Sequence, residues 1–348
     1  MIYYAALDVS VEETAICVVD GRGRLVKEVV VASAPAAIAA MLSGFSGSLV
    51  RVGLEVGPLS DWLYDGLRAL GLPVVVIDAL HASTMLKGGF RNKTDRNDAR
   101  GLADMMRVGK YRAVWVKSQA GRHARARLAV HDQLVKTRTA LVNTVRGLLR
   151  GAGIELGAVG KRGFVVAVRT RLAEEALLRA IVEPLLATLA TVDRQLGLFD
   201  RTIGELVKAD AVCRLLMTCP GVGPITAYGY RAVIDDPRRF RRSRDVGAYV
   251  GITPRRYQSG QIDYSGRISK MGDASLRRLL FLAARTTLRG GPRDPLSAWA
   301  LRIAKRRGRK RATVALARKL AVVLHRMWLD QTPYQATTGE TTTDKAAA

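Results

Sequence analysis

Acidic side chains are scarce in this chain: 30 Asp and Glu stand against 56 Lys and Arg in 348 residues, a net charge of +26. That imbalance excludes a cationic partner and points to a polyanion, with nucleic acid first. Cysteine is nearly absent. Cys17, Cys213 and Cys219 are odd in number and lack metal-ligand spacing, which excludes a disulfide scaffold and reads as buried thiols of a reducing compartment. No apolar run approaches the ~18–20 residues of a membrane-spanning helix. The start MIYYAALDVS has no basic segment followed by an apolar block, so no signal peptide is expected and the location is cytoplasmic, at the nucleoid. There is no Walker-type phosphate loop, so ATP is not the expected energy source. The apolar fraction, 48%, is that of a globular protein able to bury a substantial core.

The few acids are unevenly placed. Residues 1–80 hold nine Asp/Glu and five Lys/Arg, a net −4, so the rest of the chain carries +30. A protein that binds a polyanion and also cuts it needs that division, because a small acidic centre can hold divalent cations against phosphate. The runs YYAALDVS, TAICVVD and LVKEVVVA read as strands, the last two joined by the hairpin turn Asp20-Gly21-Arg22-Gly23. A weak helix over 36–42, the strand RVGLEV, a helix over 59–70 with Leu59, Leu63, Leu67 and Leu70 on one face, and the strand LPVVVID follow. The order β-β-β-α-β-α-β-α is ribonuclease H-like. It places Asp8 at the end of the first strand and Glu55 near the end of the fourth, where ligands gather at the carboxyl edge of an open sheet. KTDRNDARGLADMM predicts a helix capped near Thr94, and its spacing of three puts Asp95 and Asp98 on one face. Four converging carboxylates repel one another unless cations lie between them. An oxygen-only set suits Mg²⁺ or Mn²⁺, and two such ions can flank a scissile phosphate. Taken singly, Asp8 is as well explained as a strand-end turn residue and Asp95 as a first-turn acid; the four together in this order carry the metal reading.

The domains are expected at 1–115 (the ribonuclease H-like unit), 116–210 (helical, coiled coil), 211–330 (mainly helical) and 331–348 (a Thr-rich disordered tail). Segment 107–150 holds eleven Lys/Arg and one acid, Asp132, with Leu128, Leu134, Leu141, Val145 and Leu148 as the apolar stripe. A phosphate backbone beside that helix is the simplest account, and a merely solvated face the competing one. Residues 151–170 read as a linker. Val182, Leu185, Leu189, Val192, Leu196, Phe199, Ile203 and Leu206 recur at 3,4,3,4,3,4,3, the seam of a coiled coil that begins near Pro184. That seam fits a hairpin with helix 123–150 or pairing between chains; the sequence does not choose. CPGVGPITA places Gly221 and Gly223 in the turn of a helix-hairpin-helix, whose amides can hold a backbone phosphate. From Arg231 to Arg289 there are fourteen Lys/Arg against five acids. Within this stretch Tyr257 and Tyr264 are interleaved, suited either to stack or to hydrogen-bond near a strand end, and Ser259 lies in a Gly-containing loop with Arg255, Arg256, Arg267 and Lys270 nearby. Such a serine needs a base or metal to activate it and cations to stabilise developing charge. Ser243, Ser265 and Ser269 are competing hydroxyls, and Ser-Gly alone is as readily a turn. KRRGRKRA, 305–312, is a further phosphate-contacting run.

Asp8, Glu55 and Asp95-x-x-Asp98, then PGVGPITA, then TPRRYQSG and SGRISKMGD, resemble the DEDD-type transposases of the IS110 insertion-sequence family, over about residues 2–330. The resemblance implies a RuvC-like domain, a coiled-coil middle and a C-terminal transposase domain with a nucleophilic serine. By resemblance the four acids are the metal ligands and Ser259 the serine, although the family often reads Ser-Ser-Gly-Gly where this chain has Gln258-Ser259-Gly260-Gln261. It further implies DNA as donor and target, a structured non-coding guide (bridge) RNA, and a homo-oligomer assembled through the coiled coil. The rival readings are a metal-dependent junction nuclease that uses water, and a non-catalytic nucleic-acid-binding protein.

Overall fold

The computed structural model describes residues 1–86 and 95–336, with the side chains of Leu86, Asp95, Arg96, Asn97 and Arg162 excepted. It divides into two compact units, Met1–Val116 and Lys117 onward.

The first unit is a five-stranded mixed sheet in the order β3-β2-β1-β4-β5. Its strands are β1 (Tyr3–Val9), β2 (Glu13–Asp20), β3 (Leu25–Ala32), β4 (Leu49–Glu55) and β5 (Val74–Ile77); its helices are α1 (Pro35–Leu42), α2 (Ser60–Ala69), α3 (Ala79–Leu86) and α4 (Asp95–Val108). The first three strands pair antiparallel, while β4 and β5 join parallel to β1. The Asp20 carboxylate closes the β2–β3 hairpin by accepting from the backbone N–H groups of Arg22 and Arg24, each at 2.9 Å. Strand alternation then assigns two faces. Ala5, Leu7, Val52 and Leu54 pack with Ile38, Leu42, Leu63 and Leu67 of α1 and α2. Ala6, Ala15 and Cys17 pack with Ala99, Leu102, Ala103 and Met106 of α4. Leu70, expected on the buried face of α2, lies past its last turn and is exposed.

The second unit is mostly helical. Its hairpin pairs α5 (Gln119–Gly151) with α7 (Ala176–Ala209). Arg138 Nε donates to Asp193 at 2.6 Å and His131 Nε2 meets Asp200 at 3.1 Å. As one number rises by seven the other falls by seven, so the helices are antiparallel. Val182, Leu189, Leu196 and Ile203, one position of each heptad, are fully buried, and their neighbours Leu186 and Val207 complete the seam. Within the chain the seam is filled by α5, the hairpin that is one of the two pairings its heptads fit. Pro184 lies inside α7 and not at its start. The apolar stripe of α5 runs through Leu149, leaving Leu148 exposed. Part of the expected linker is a helix, α6 (Phe164–Arg171), which buries Phe164 and Val168 against Val145 and Leu149.

The larger core joins the open end of that hairpin, the start of α5 and the end of α7, to α8 (Ala211–Met217), α9 (Pro224–Ile234), α10 (Asp245–Tyr249), α11 (Ala274–Arg289), α12 (Pro295–Arg307) and α13 (Arg309–Asp330). At its centre Tyr230 is completely buried and its hydroxyl donates to the Ala321 carbonyl at 2.8 Å. Ala124, Leu128, Ile203 and Val207 belong to this same core, so the helical middle and the C-terminal part share one interior. A two-stranded antiparallel ribbon, β6 (Pro254–Ser259) and β7 (Ile262–Ile268), stands out from it. Among the described residues no helix is long and apolar enough to cross a membrane.

Candidate active site

The β1–β4 register brings two of the four acids together. Leu7 pairs with Leu54, so Asp8 and Glu55 are the next residues on neighbouring parallel strands. Asp8 has the parity of Ala6, which faces α4. Glu55 has the parity of Gly53, where a Cβ would stand 2.8 Å from Met106 Cγ. Both carboxylates thus occupy the sheet face that α4 covers. The direction of α4 follows from its far end: Arg51 Nη1 donates to the Met106 carbonyl at 2.9 Å, and Arg107 lies beside Gly23, in the turn next to the start of β1. Its other end, with Asp95 and Asp98, is directed toward the carboxyl edge where β1 and β4 finish. Asp98 is half-buried and precedes Ala99, which is in the core. Among the described residues no three Asp, Glu, His or Cys side chains stand close enough to share an ion. The Asp95 side chain and the Thr94 cap lie outside the described residues, so the fit of the full acid set rests on Asp8, Glu55 and Asp98 and on their oxygen-only chemistry. Asp78 accepts from the His81 N–H at 2.8 Å as the cap of α3.

Ser259 is not in a loop. It is the last residue of β6, paired with Ile262 across the two-residue turn Gly260-Gln261, and it is exposed. Among the described residues no side chain hydrogen-bonds its hydroxyl. The competing Ser243 is differently placed. The ring of His325, fully buried, meets the Pro237 carbonyl at 2.9 Å through Nε2 and Ser243 Oγ at 2.9 Å through Nδ1. A carbonyl only accepts, so Nε2 carries the proton and Ser243 donates to Nδ1. Burial first, then the nearby Arg326 charge, lowers the His325 pKa against the opposing Pro237 bond, so the ring stays neutral. This is a serine–histidine contact used to pin a loop to α13.

The ribbon is a cation carrier with internal order. Tyr257 and Tyr264 face each other in register and stack with centroids 5.0 Å apart. Arg256 is held bidentate by Asp263, with Nε–Oδ1 at 2.8 Å, and Arg255 donates to the Ser269 carbonyl at 3.2 Å. Arg267 and Lys270 instead line a groove at the foot of the ribbon. Gly221 sits in the α8–α9 turn with φ +80°, where a Cβ would lie 2.2 Å from Thr287 Oγ1 and 2.6 Å from the Ala283 carbonyl. The Thr287 hydroxyl lies 2.9 Å from the Pro220 carbonyl, so the turn is fastened to α11, while Gly223 N-caps α9.

Several cations of α5 have protein partners, so part of its charge is met within the chain. Arg125 reaches Asp273, Arg127 reaches Tyr228, Arg138 reaches Asp193, and Arg146 donates to the Leu156 carbonyl at 2.7 Å and lies over Phe164. The three cysteines are buried thiols; burial pushes Cys17 up to about 11 and Cys213 and Cys219 up to about 12.

Two family profiles match the chain, one described as a transposase (the DEDD domain of IS110 elements) over residues 5–154 and one as the Transposase IS116/IS110/IS902 family over 213–295. The transposase for insertion sequence element IS1111A of Coxiella burnetii is 33% identical over 286 residues, spanning 80% of this chain and 77% of its own. The chain belongs to the IS110 family of DEDD transposases. A probable family 20 transposase of Pseudomonas aeruginosa is 32% identical over 276 residues, 77% of this chain and 81% of that one. A pilin gene-inverting protein of Moraxella lacunata is 29% identical over 123 residues, 34% of this chain and 38% of that one. The transposase is thus an enzyme of DNA recombination, and a DEDD domain implies dependence on a divalent metal.

Residue reasoning missed the groove that Arg267 and Lys270 share with Trp299. Nothing in the spacing of these residues signals it, because the whole of α11 lies in sequence between the ribbon and the α12–α13 pair that it meets there.

Proposed function

We propose that Asp8, Glu55, Asp95 and Asp98 hold two divalent ions, Mg²⁺ or Mn²⁺, and that Ser259 is the nucleophile of strand exchange. The observation that carries the metal half is the adjacency of Asp8 and Glu55 on the α4-covered face, with Asp98 on the helix end directed at their edge. Bound ions supply neutralisation of phosphate charge and a lowered pKa for a hydroxyl or water beside them. The Ser259 half rests on an exposed hydroxyl at the tip of a ribbon ordered by the Tyr257–Tyr264 stack and the Arg256–Asp263 pair. In the step proposed, an Oγ–P ester forms as one backbone P–O bond breaks. The seryl proton leaves, and the departing sugar oxygen ends as a hydroxyl. The phosphoserine keeps the ester, so strands rejoin without ATP. The ribonuclease H-like, RuvC-like fold accounts for the β-β-β-α-β-α-β-α order of the first unit. A bridge RNA choosing donor and target DNA, assembly of more than one chain through the coiled-coil region, and action on the nucleoid in the cytoplasm belong to the same reading.

Trapping a denaturation-resistant protein–DNA adduct tests it. The adduct is expected from the parent and from Ser243→Ala and not from Ser259→Ala. An adduct that persists in Ser259→Ala assigns the nucleophile elsewhere, and Mg²⁺-dependent cleavage with no adduct in any protein favours water.

A further inference from the structure

The second unit holds a groove of 1320 Å³ between the foot of the ribbon, α12 and α13. Every charged residue that lines it is a cation. Arg267 and Lys270 come from β7 and the turn after it, and Arg307 from the end of α12. Lys310, Arg311, Arg318 and Lys319 come from α13. No carboxylate lines it. Its floor is apolar, built by Ile252, Ile268, Ile303, Val314 and Val322. Trp299 forms a side wall, and the Lys319 ammonium lies over its ring, 4.4 Å from the centroid, so the indole fixes one cation in place. A smaller groove of 410 Å³ continues beyond Trp299 and Ile303, with Arg302 and Arg306 on its rim. The basic run 305–312 is therefore not one stripe. It is divided at Gly308 between two helices, and the two halves border the same depression.

We propose that this groove binds a single-stranded stretch of nucleic acid, phosphates on the cationic rim and bases on the apolar floor. The proposal rests on the reading of the chain as a transposase and names a ligand site for it. Charge complementarity demands a polyanion, since seven cations meet no acid. The floor selects the form. A duplex turns its phosphates outward and stacks its bases inside, so branched aliphatic side chains would meet only charged backbone. A single strand offers base faces and edges to an apolar surface while its backbone tracks the cations. DNA and RNA share this chemistry.

The test is fluorescence anisotropy on the whole protein with a labelled 12-nucleotide DNA strand, an RNA strand of the same sequence, and the corresponding DNA duplex. Lys310→Glu/Arg311→Glu changes two exposed residues on the rim, and Ile303→Asp puts a carboxylate on the floor while every rim cation stays in place. Arg171→Glu/Arg179→Glu, at exposed positions at the far end of the hairpin, is the charge control. Both groove variants are expected to weaken single-strand binding about tenfold or more and duplex binding less than about threefold, with the control near parent. The rim variant also lowers the salt slope for single strands by about 1.4, from two lost phosphate contacts. Whichever of DNA or RNA loses more identifies the source. Equal losses for single strand and duplex, an unaffected Ile303→Asp, an equal loss in the control, or competition by anionic vesicles as effective as by oligonucleotide would each overturn the proposal. A parent protein that binds no nucleic acid at all would instead overturn the transposase reading beneath it.

Discussion

The two units divide the physics of the enzyme between them. Met1–Val116 carries twelve acids and thirteen bases and is nearly neutral; the remainder carries 18 acids and 43 bases. The first unit positions its important side chains by strand register, and the second displays its cations on exposed helix faces and a ribbon. Register is unforgiving, because one residue of slip would send Asp8 to the α1–α2 face. A charged surface tolerates loss of single members, because exposed cations each contribute little. The acids are therefore expected to be individually indispensable and the arginines collectively so.

The sharpest way to break that contrast is at the acids. Asp8→Ala or Glu55→Ala is expected to reduce DNA cleavage by about 10³-fold or more while nucleic-acid affinity stays within about threefold. Measuring both on one preparation decides it, since an equal fall in affinity and cleavage would mean that the acids organise binding. Next in size are two substitutions at close approaches, one per unit. Gly221→Ala puts a Cβ against Thr287 at positive φ and is expected to cost about 2–4 kcal/mol; Gly53→Leu drives into Met106 and costs about 1–3 kcal/mol. Calorimetry should show each lowering a different transition if the units unfold separately. A single transition moved by both would remove the distinction. Pro184→Ala returns a backbone donor to the interior of α7 and is expected to stabilise the second unit by about 1–3 kcal/mol, read as a raised Tm.

The smallest effect concerns Asp132, the one acid of the basic α5 segment. Burial raises its pKa, but hydrogen bonds from Ser275 and Arg278 and the Arg278 charge outweigh that and leave it lowered. A carboxylate with a depressed folded pKa contributes stability above its unfolded value and loses it as pH falls through the folded one. Asp132→Asn should therefore cost about 1–2 kcal/mol at neutral pH and approach parent stability below about pH 4. A difference that does not change between pH 7 and pH 3 would assign the effect to packing.

Much of the first unit was legible because its signals are local. Turn chemistry at Asp20–Gly23 and alternating strands need no partner to be recognised, and the four acids stand out in a chain poor in acid. Of those four, the described structure places Asp8, Glu55 and Asp98. The heptads of α7 were legible, but their partner was not, because an apolar seam carries no label for the helix that fills it. The α6 helix was hidden in a glycine-containing stretch, and only Phe164 and Val168 docking on Val145 and Leu149 explain it. Pro184 misled, since a proline that starts helices in isolation is here carried inside one by packing on both sides.

The sequence by itself determined the family, the excess of positive charge and the kinds of residue that do chemistry, because composition and motif spacing are properties of the chain alone. Tertiary structure decided which face Asp8 and Glu55 share, that α5 and α7 satisfy each other, and that cations from β7, α12 and α13 surround one apolar floor. Those are relations between residues distant in sequence, fixed only when strands choose a register and helices choose a partner.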